Sequence, residues 1–306
     1  MQPLLYVENL TKRYTGKRDH LAVDNISFHL KPKEILGFLG PNGSGKTTTI
    51  QMLLGTLLPT SGSISYFGHD FFKNRSESLG HIAYASAYTS LPWSLTLREN
   101  LITTGLLYGL KSDETQRRCE PLLRRFGMWE LYRSPVSSLS AGQITRLMLV
   151  KAFFIRPKIV LLDEPTASLD PEMAKEICDF IIEQKDQSGV SILFTSHKME
   201  EASFLCDRIL FLKNGKIIAD DKPQNLVKSI NTFHVKLAII DGLEKMLALL
   251  QEFQLHYHLS HKLVDVSLDE GQIPLFLSRI TQLGIQYSTI RIEEPSLEDY
   301  FLQMSR

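Results

Sequence analysis

Eight residues, Gly40-Pro41-Asn42-Gly43-Ser44-Gly45-Lys46-Thr47, constrain this chain more than any other stretch. They follow the apolar run Ile35-Leu36-Gly37-Phe38-Leu39, which reads as a buried strand, and precede Thr48-Thr49-Ile50-Gln51-Met52-Leu53-Leu54, which reads as a helix. A strand, a glycine-rich turn and a helix in that order predict a phosphate-binding loop. Glycines at 40, 43 and 45 let the backbone curl until successive N–H groups face one anion, and the helix behind them adds the positive end of its dipole. Lys46 is expected to reach the β and γ phosphates and the Thr47 hydroxyl to ligate Mg²⁺, with Gly40 through Thr48 forming the nucleotide cradle. The loop names a nucleotide and leaves its use open.

Composition narrows that use. Lys+Arg and Asp+Glu both number 34 in 306 residues, so no net charge marks a nucleic-acid binder. Cys119, Cys178 and Cys206 have neither metal-ligand nor redox spacing, which suits a reducing cytosol. The start, MQPLLYVENL, lacks the basic and apolar regions of a signal peptide. No stretch approaches 18 consecutive apolar residues, so any membrane role is expected to come through a partner.

Before the loop the pattern is antiparallel: strands at residues 4–7, Ala22–Leu30 and Ile35–Leu39, with Leu10–Tyr14 leading into a polar loop. Ser63–Phe67 is a further strand. From Leu97 to Arg156 the chain reads as helices, at Arg98–Tyr108, Ser112–Phe126 and Gln143–Ile155. Arg117, Arg118, Arg124 and Arg125 are interspersed with Asp113, Glu114 and Glu120, a solvated helix face and not a nucleic-acid patch. Strands at Ile159–Leu162 and Ser191–Thr195 then alternate with helices at Pro171–Lys185 and Met199–Leu205, and Asn214-Gly215 predicts a hairpin. Near residue 230 the pattern restarts as βαββαβ, the ferredoxin-like order. There His256, His258 and His261 read as ordinary polar positions.

A phosphate loop becomes an ATPase when a second strand delivers acid beside it. Ile159-Val160-Leu161-Leu162-Asp163-Glu164 has four apolar residues to bury the strand and two carboxylates at its C-terminal end, where α/β sheets place ligands. Asp163 is expected to hold Mg²⁺ and Glu164 to act on the attacking water. Ser140 can cap the helix that follows it, making a second anion site. One chain already has a phosphate loop, so a second anion site suggests a second molecule.

Together these motifs resemble the nucleotide-binding subunit of an ABC transporter over residues 4 to about 225. Leu139-Ser140-Ala141-Gly142-Gln143 is similar to the family's signature motif, Ser168-Leu169-Asp170 to its D-loop, and His197, closing Ile192-Leu193-Phe194-Thr195-Ser196-His197, to its switch histidine. The resemblance implies that Tyr14 stacks on adenine, that His197 contacts the γ phosphate, and that Asp170 runs along a head-to-tail dimer seam. Ser140, Gly142 and Gln143 would complete the site on a second ATPase subunit.

Two departures stand out. Ala141 replaces a glycine of the signature, and the glutamine expected at Ala87 or Tyr88 is missing. Pro295-Ser296-Leu297-Glu298-Asp299-Tyr300-Phe301 resembles the ending of ATPase subunits from bacterial export systems for drugs, lipids or polysaccharides.

The expected fold is α/β: a P-loop NTPase core with an antiparallel β subdomain and a helical subdomain over residues 1–229, then a small α+β domain over 230–306. The expected function is ATP hydrolysis with Mg²⁺, driving a separate transmembrane permease from the cytoplasmic face of the membrane, without nucleic acid. Two rivals are a soluble ABC ATPase acting on the ribosome or DNA and a weakly active regulatory subunit of a heterodimer. The first usually carries two ATPase halves or a long coiled coil; here there is one set of motifs and no sustained heptads.

Overall fold

The computed structural model describes residues 2–16, 19–86, 91–167 and 169–305. The chain divides into two compact units, 1–223 and 224–306. The first opens with β1 (Leu5–Tyr14) and β2 (His20–Leu30), runs through β3 (Ile35–Leu39) into α1 (Lys46–Leu53), and returns to strand in β4 (Ser61–Tyr66) and β5 (His69–Asp70). Then come α2 (Arg75–Leu79), β6 (Ile82–Ser86), α3 (Leu97–Leu107), α4 (Ser112–Arg125) and α5 (Ala141–Phe153). The unit closes with β7 (Ile159–Asp163), α6 (Pro171–Ser188), β8 (Ser191–Thr195), α7 (Met199–Leu205), β9 (Arg208–Lys213) and β10 (Lys216–Asp221).

Two sheets form its core. An antiparallel sheet has the order β2-β1-β4-β5, and a six-stranded sheet the order β10-β9-β3-β8-β7-β6, parallel from β9 to β6 with β10 antiparallel at its edge. Apolar residues of both, among them Val7, Phe28, Phe38, Leu161, Leu193 and Leu210, make one buried cluster. The Phe28 and Phe38 rings meet at 5.5 Å. Each such side chain contributes roughly 1.5–3 kcal/mol by burial, which holds the sheets together and fixes the strand ends. Because β3, β6, β7 and β8 are parallel, their C-terminal ends lie along one edge.

Two expectations for the strands need correction. β3, expected in an antiparallel start with the strands before it, instead pairs in parallel with β8 and β9 in the six-stranded sheet. β1 is one strand through Tyr14 and not a short strand with a loop lead; register breaks against β2 between Val7 and Arg13 bend it, and Asn9 takes φ 49°. The unit boundary at residue 223 precedes the expected one at 229, so that α8 (Pro223–Lys228) falls mostly with the second unit. The arginines of α4 behave as a solvated face: Arg118 pairs with Glu114, Arg124 with Glu120 at 2.8 Å, and Arg125 with Glu183 at 2.5 Å.

In the second unit, β11 (Thr232–Asp241), α9 (Leu243–Glu252), β12 (His256–Ser260), β13 (Leu263–Asp269), α10 (Ile273–Gln282) and β14 (Gln286–Glu293) precede α11 (Leu297–Ser305). The four strands form an antiparallel sheet in the order β12-β13-β11-β14. Alternation sorts its faces: Val235, Leu237 and Ile239 pack with Met246, Leu249, Phe276 and Ile280 of the helices, while His234 and Lys236 take the other side. Among the described residues no helix is long and apolar enough to cross a membrane.

Candidate functional site

The loop between β3 and α1 needs its glycines. Gly40, Gly43 and Gly45 have φ of 148°, 78° and 104°, a region that L side chains avoid. A Cβ on Gly40 would stand 2.2 Å from the Leu212 carbonyl oxygen of β9, and one on Gly45 2.4 Å from that of Ala22 in β2. Neighbouring strands therefore clamp the loop from both sides. Lys46 Nζ donates to the carbonyls of Gly40 at 2.6 Å and Pro41 at 3.1 Å, and Thr49 Oγ1 caps back to Gly45 O at 2.9 Å. Burial lowers the Lys46 pKa, and the charges of Glu164 and Asp163 partly offset this.

Parallel register brings the acids to the loop. Asp163 pairs with Ser86 of β6 and Thr195 of β8, all at strand ends. Its carboxylate accepts from Thr195 Oγ1 at 2.6 Å and from the Tyr84 hydroxyl at 3.3 Å. Glu164 adopts φ 56°, and its amide donates to Thr195 O at 3.1 Å. That left-handed turn swings its carboxylate back to His197, whose Nδ1 lies 2.5 Å from Oε2.

These groups line one cleft of about 720 Å³. Tyr14, Asn42, Gly43, Gly45, Lys46, Thr47, Thr48, Asp163, Glu164 and His197, scattered over more than 180 positions of sequence, all face it. Gly40, Pro41 and Ser44 shape the loop without facing the cleft; Ser44 Oγ is buried and unpaired among the described residues. Its size suits a nucleotide. Thr47 and Asp163 both line this cleft, and a hydroxyl with a carboxylate is the hard-oxygen chemistry that would hold Mg²⁺.

Ser140, Gly142, Gln143 and Asp170 do not line this cleft. Ser140 caps α5 as the sequence suggests: its Oγ accepts from the Gln143 amide at 3.3 Å and its own amide donates to Gln143 Oε1 at 2.9 Å. Ala141 opens that helix at negative φ, so its methyl costs no backbone strain. Asp170 caps α6 through Met173 N at 2.9 Å. Ala87, Tyr88 and Ser168 lie outside the described residues.

Known proteins place the chain. Over 99% of its length it is 31% identical to the bacitracin transport ATP-binding protein BcrA of Bacillus licheniformis, covering 98% of that protein. It belongs to the ABC transporter ATP-binding proteins. The ABC transporter family model matches residues 23–167. The linearmycin resistance ATP-binding protein LnrL of Bacillus subtilis is also 31% identical, across 99% of this chain and 98% of its own. Among solved structures, one described as an ATP binding subunit of an ABC transporter superposes with a TM-score of 0.68 at 30% identity, over 74% of this chain and 92% of that one. As an ABC transporter ATP-binding protein the chain binds and hydrolyses ATP to drive transport.

Sequence reasoning did not single out His20, Ala22, Tyr84 and Ser86 as cleft residues, nor Thr195 as a partner of Asp163. For Tyr84 and Thr195 the usable signal was their place near the ends of apolar strands flanking Asp163. Strand order, which decides who stands beside whom, is not written in any local stretch.

Proposed function

We propose that this cleft binds ATP with Mg²⁺ and hydrolyses it for an exporter whose transmembrane permease is a separate chain, with the present chain bound at the cytoplasmic face of the membrane. The reading is carried by one observation: Glu164 and His197 meet at 2.5 Å beside the loop that holds Lys46. Tyr14 stacks on the adenine, Gly40 through Thr48 cradle the phosphates with Lys46 neutralising them, and Thr47 with Asp163 would hold Mg²⁺, which supplies further neutralisation of charge on the phosphate oxygens. Glu164 accepts a proton from the attacking water, and His197 orients Glu164 and contacts the γ phosphate.

The site is one half of a pair. Ser140, Gly142 and Gln143 sit at the capped N-terminus of α5, an anion-binding device that does not line the chain's own cleft, and in a head-to-tail dimer they close the partner subunit's ATP site while Asp170 lies along the seam. Export as the direction is supported by the likeness to a protein named for linearmycin resistance and by Pro295–Phe301. The second unit, residues 224–306, would be an accessory domain, and its βαββαβ order and β12-β13-β11-β14 sheet support a ferredoxin-like fold for it. The deciding experiment is ATP-dependent dimerisation of Glu164→Gln, followed by size-exclusion chromatography. ATP should convert it from monomer to dimer and Ser140→Arg should abolish the conversion; a monomer at saturating ATP would count against the paired site.

A further inference from the structure

Behind the two reacting side chains lies a second polar cluster that the roles above do not use. Glu201 is in the first turn of α7, next to Glu200. Glu200 is exposed and supplies negative charge for the helix dipole, but Glu201 turns inward, its side chain 13% accessible. There one carboxylate oxygen, Oε2, accepts from Thr166 Oγ1 at 2.5 Å and from Ser196 Oγ at 3.3 Å. The other, Oε1, pairs with Lys198 Nζ at 3.0 Å, and Lys198 Nζ also donates to the Thr166 carbonyl at 3.3 Å. Thr166 and Ser196 are each 1% exposed.

Thr166 lies two residues after Glu164, and Ser196 one residue before His197. Glu201 thus ties the loop that carries the first to the loop that carries the second. It does not line the cleft. Helix stabilisation alone does not explain this arrangement, since Glu200 already serves the dipole and a buried carboxylate is costly unless its partners are fixed. Both loops need such a tie: Glu164 stands at φ 56°, a strained position for a residue with a side chain, and His197 is on an exposed loop.

We propose that Glu201 is a positioning residue for ATP hydrolysis: by holding Thr166 and Ser196 on one carboxylate it fixes the distance between Glu164 and His197, and thereby the geometry of the attacking water. The inference rests on the reading of Glu164 and His197 given above. Because Glu201 bonds to neither the phosphate loop nor Tyr14, which carry most of the proposed ATP contacts, it governs turnover far more than ATP affinity. Misplacement of a catalytic pair by about 1 Å costs on the order of 10²-fold in rate.

The test is steady-state ATP hydrolysis and equilibrium ATP binding by the 306-residue chain and its variants. Glu201→Ala should lower kcat by about 10- to 100-fold with the ATP Kd within about twofold of the parent. Glu201→Gln keeps an acceptor oxygen for both hydroxyls and should recover most of the loss. Thr166→Val preserves shape and removes only one donor; it should lower kcat in the same direction, and the double variant Glu201→Ala/Thr166→Val should be no slower than Glu201→Ala alone. Unchanged kcat in Glu201→Ala, an ATP Kd that weakens in step with kcat, or fully additive losses in the double variant would each overturn the proposal. Glu164→Gln measured alongside separates the two readings. If it abolishes turnover while Glu201→Ala does not, only the positioning role fails; if it leaves turnover intact, the assignment of Glu164 fails.

Discussion

Glu164 and His197 are joined by a 2.5 Å contact that depends on a left-handed turn at Glu164, φ 56°, immediately after β7 ends. The turn points the carboxylate across the strand ends and not along them, and the Thr195 backbone holds it by accepting from the Glu164 amide. Glu164→Gln keeps the size of the side chain and removes the proposed base. ATP binding should persist while turnover falls by about 10²- to 10⁴-fold, the usual worth of a general base. Coupled ATPase assays and nucleotide-binding fluorescence measure the two separately, and unaltered turnover would remove Glu164 from the chemistry.

Lys46 is a charge already withdrawn from water and held by the loop's own carbonyls at Gly40 and Pro41. On the proposed role of Lys46, Lys46→Ala would remove a charge-assisted contact to phosphate worth roughly 1.5–3 kcal/mol, so ATP affinity should weaken about 10- to 100-fold. Isothermal titration calorimetry with Mg·ATP reads this directly. Tight binding by the variant would contradict the role of the loop.

The loop, the acidic strand end and the helix cap at Ser140 were legible in the sequence because each is a local device: a strand, a turn chemistry and a helix start within about ten residues. What was not legible depends on pairing between distant segments. Tyr84 meets Asp163, and Thr195 meets it from the other side, only because β6, β7 and β8 are neighbours in one parallel sheet. The inward turn of Glu201, against the outward turn of Glu200, is set by the packing of α7 and not by any spacing of charges. α2 and α8, with five and six residues, are too short to show a helical period.

The three loop glycines should not be equivalent in stability. Gly45→Ala places a Cβ 2.4 Å from the Ala22 carbonyl oxygen at φ 104°, so backbone must move, at about 3–5 kcal/mol. Gly43→Ala meets nothing within 4 Å and bears only the conformational cost of φ 78°, about 1–2 kcal/mol. Trp93 and Trp129 both belong to the first unit, so urea unfolding followed by tryptophan fluorescence reports it alone. Equal losses in the two variants would show that the clamp by β2 does not constrain the loop.

His234 ties α11 to the sheet of the second unit: Nδ1 lies 3.1 Å from Asp265 and Nε2 3.0 Å from Asp299, with Lys236 and Glu293 paired beside it. Burial works against the charged ring, but the Asp265 hydrogen bond and the charges of Asp299 and Asp265 outweigh it and raise the pKa. The folded form therefore binds this proton more tightly than the unfolded chain. Its stabilisation is complete below the unfolded value of about 6.5 and fades as pH rises through the folded pKa. Asp299 runs the other way. Burial opposes its ionisation, yet the hydroxyl and amide of Ser296 and the His234 charge outweigh that and lower its pKa, so its contribution is complete above an unfolded value of about 4 and is lost as pH falls through the folded pKa. α11 should be held most firmly between about pH 4 and 6.5, and loosen as pH rises through the folded pKa of His234 or falls through that of Asp299. Amide hydrogen exchange at Tyr300 to Gln303, corrected for intrinsic rate, measures this. His234→Gln should remove the alkaline dependence and lower protection at pH 6 by about 1–2 kcal/mol, roughly 5- to 30-fold in exchange rate. A variant that keeps the parent's pH profile would show that another group sets it.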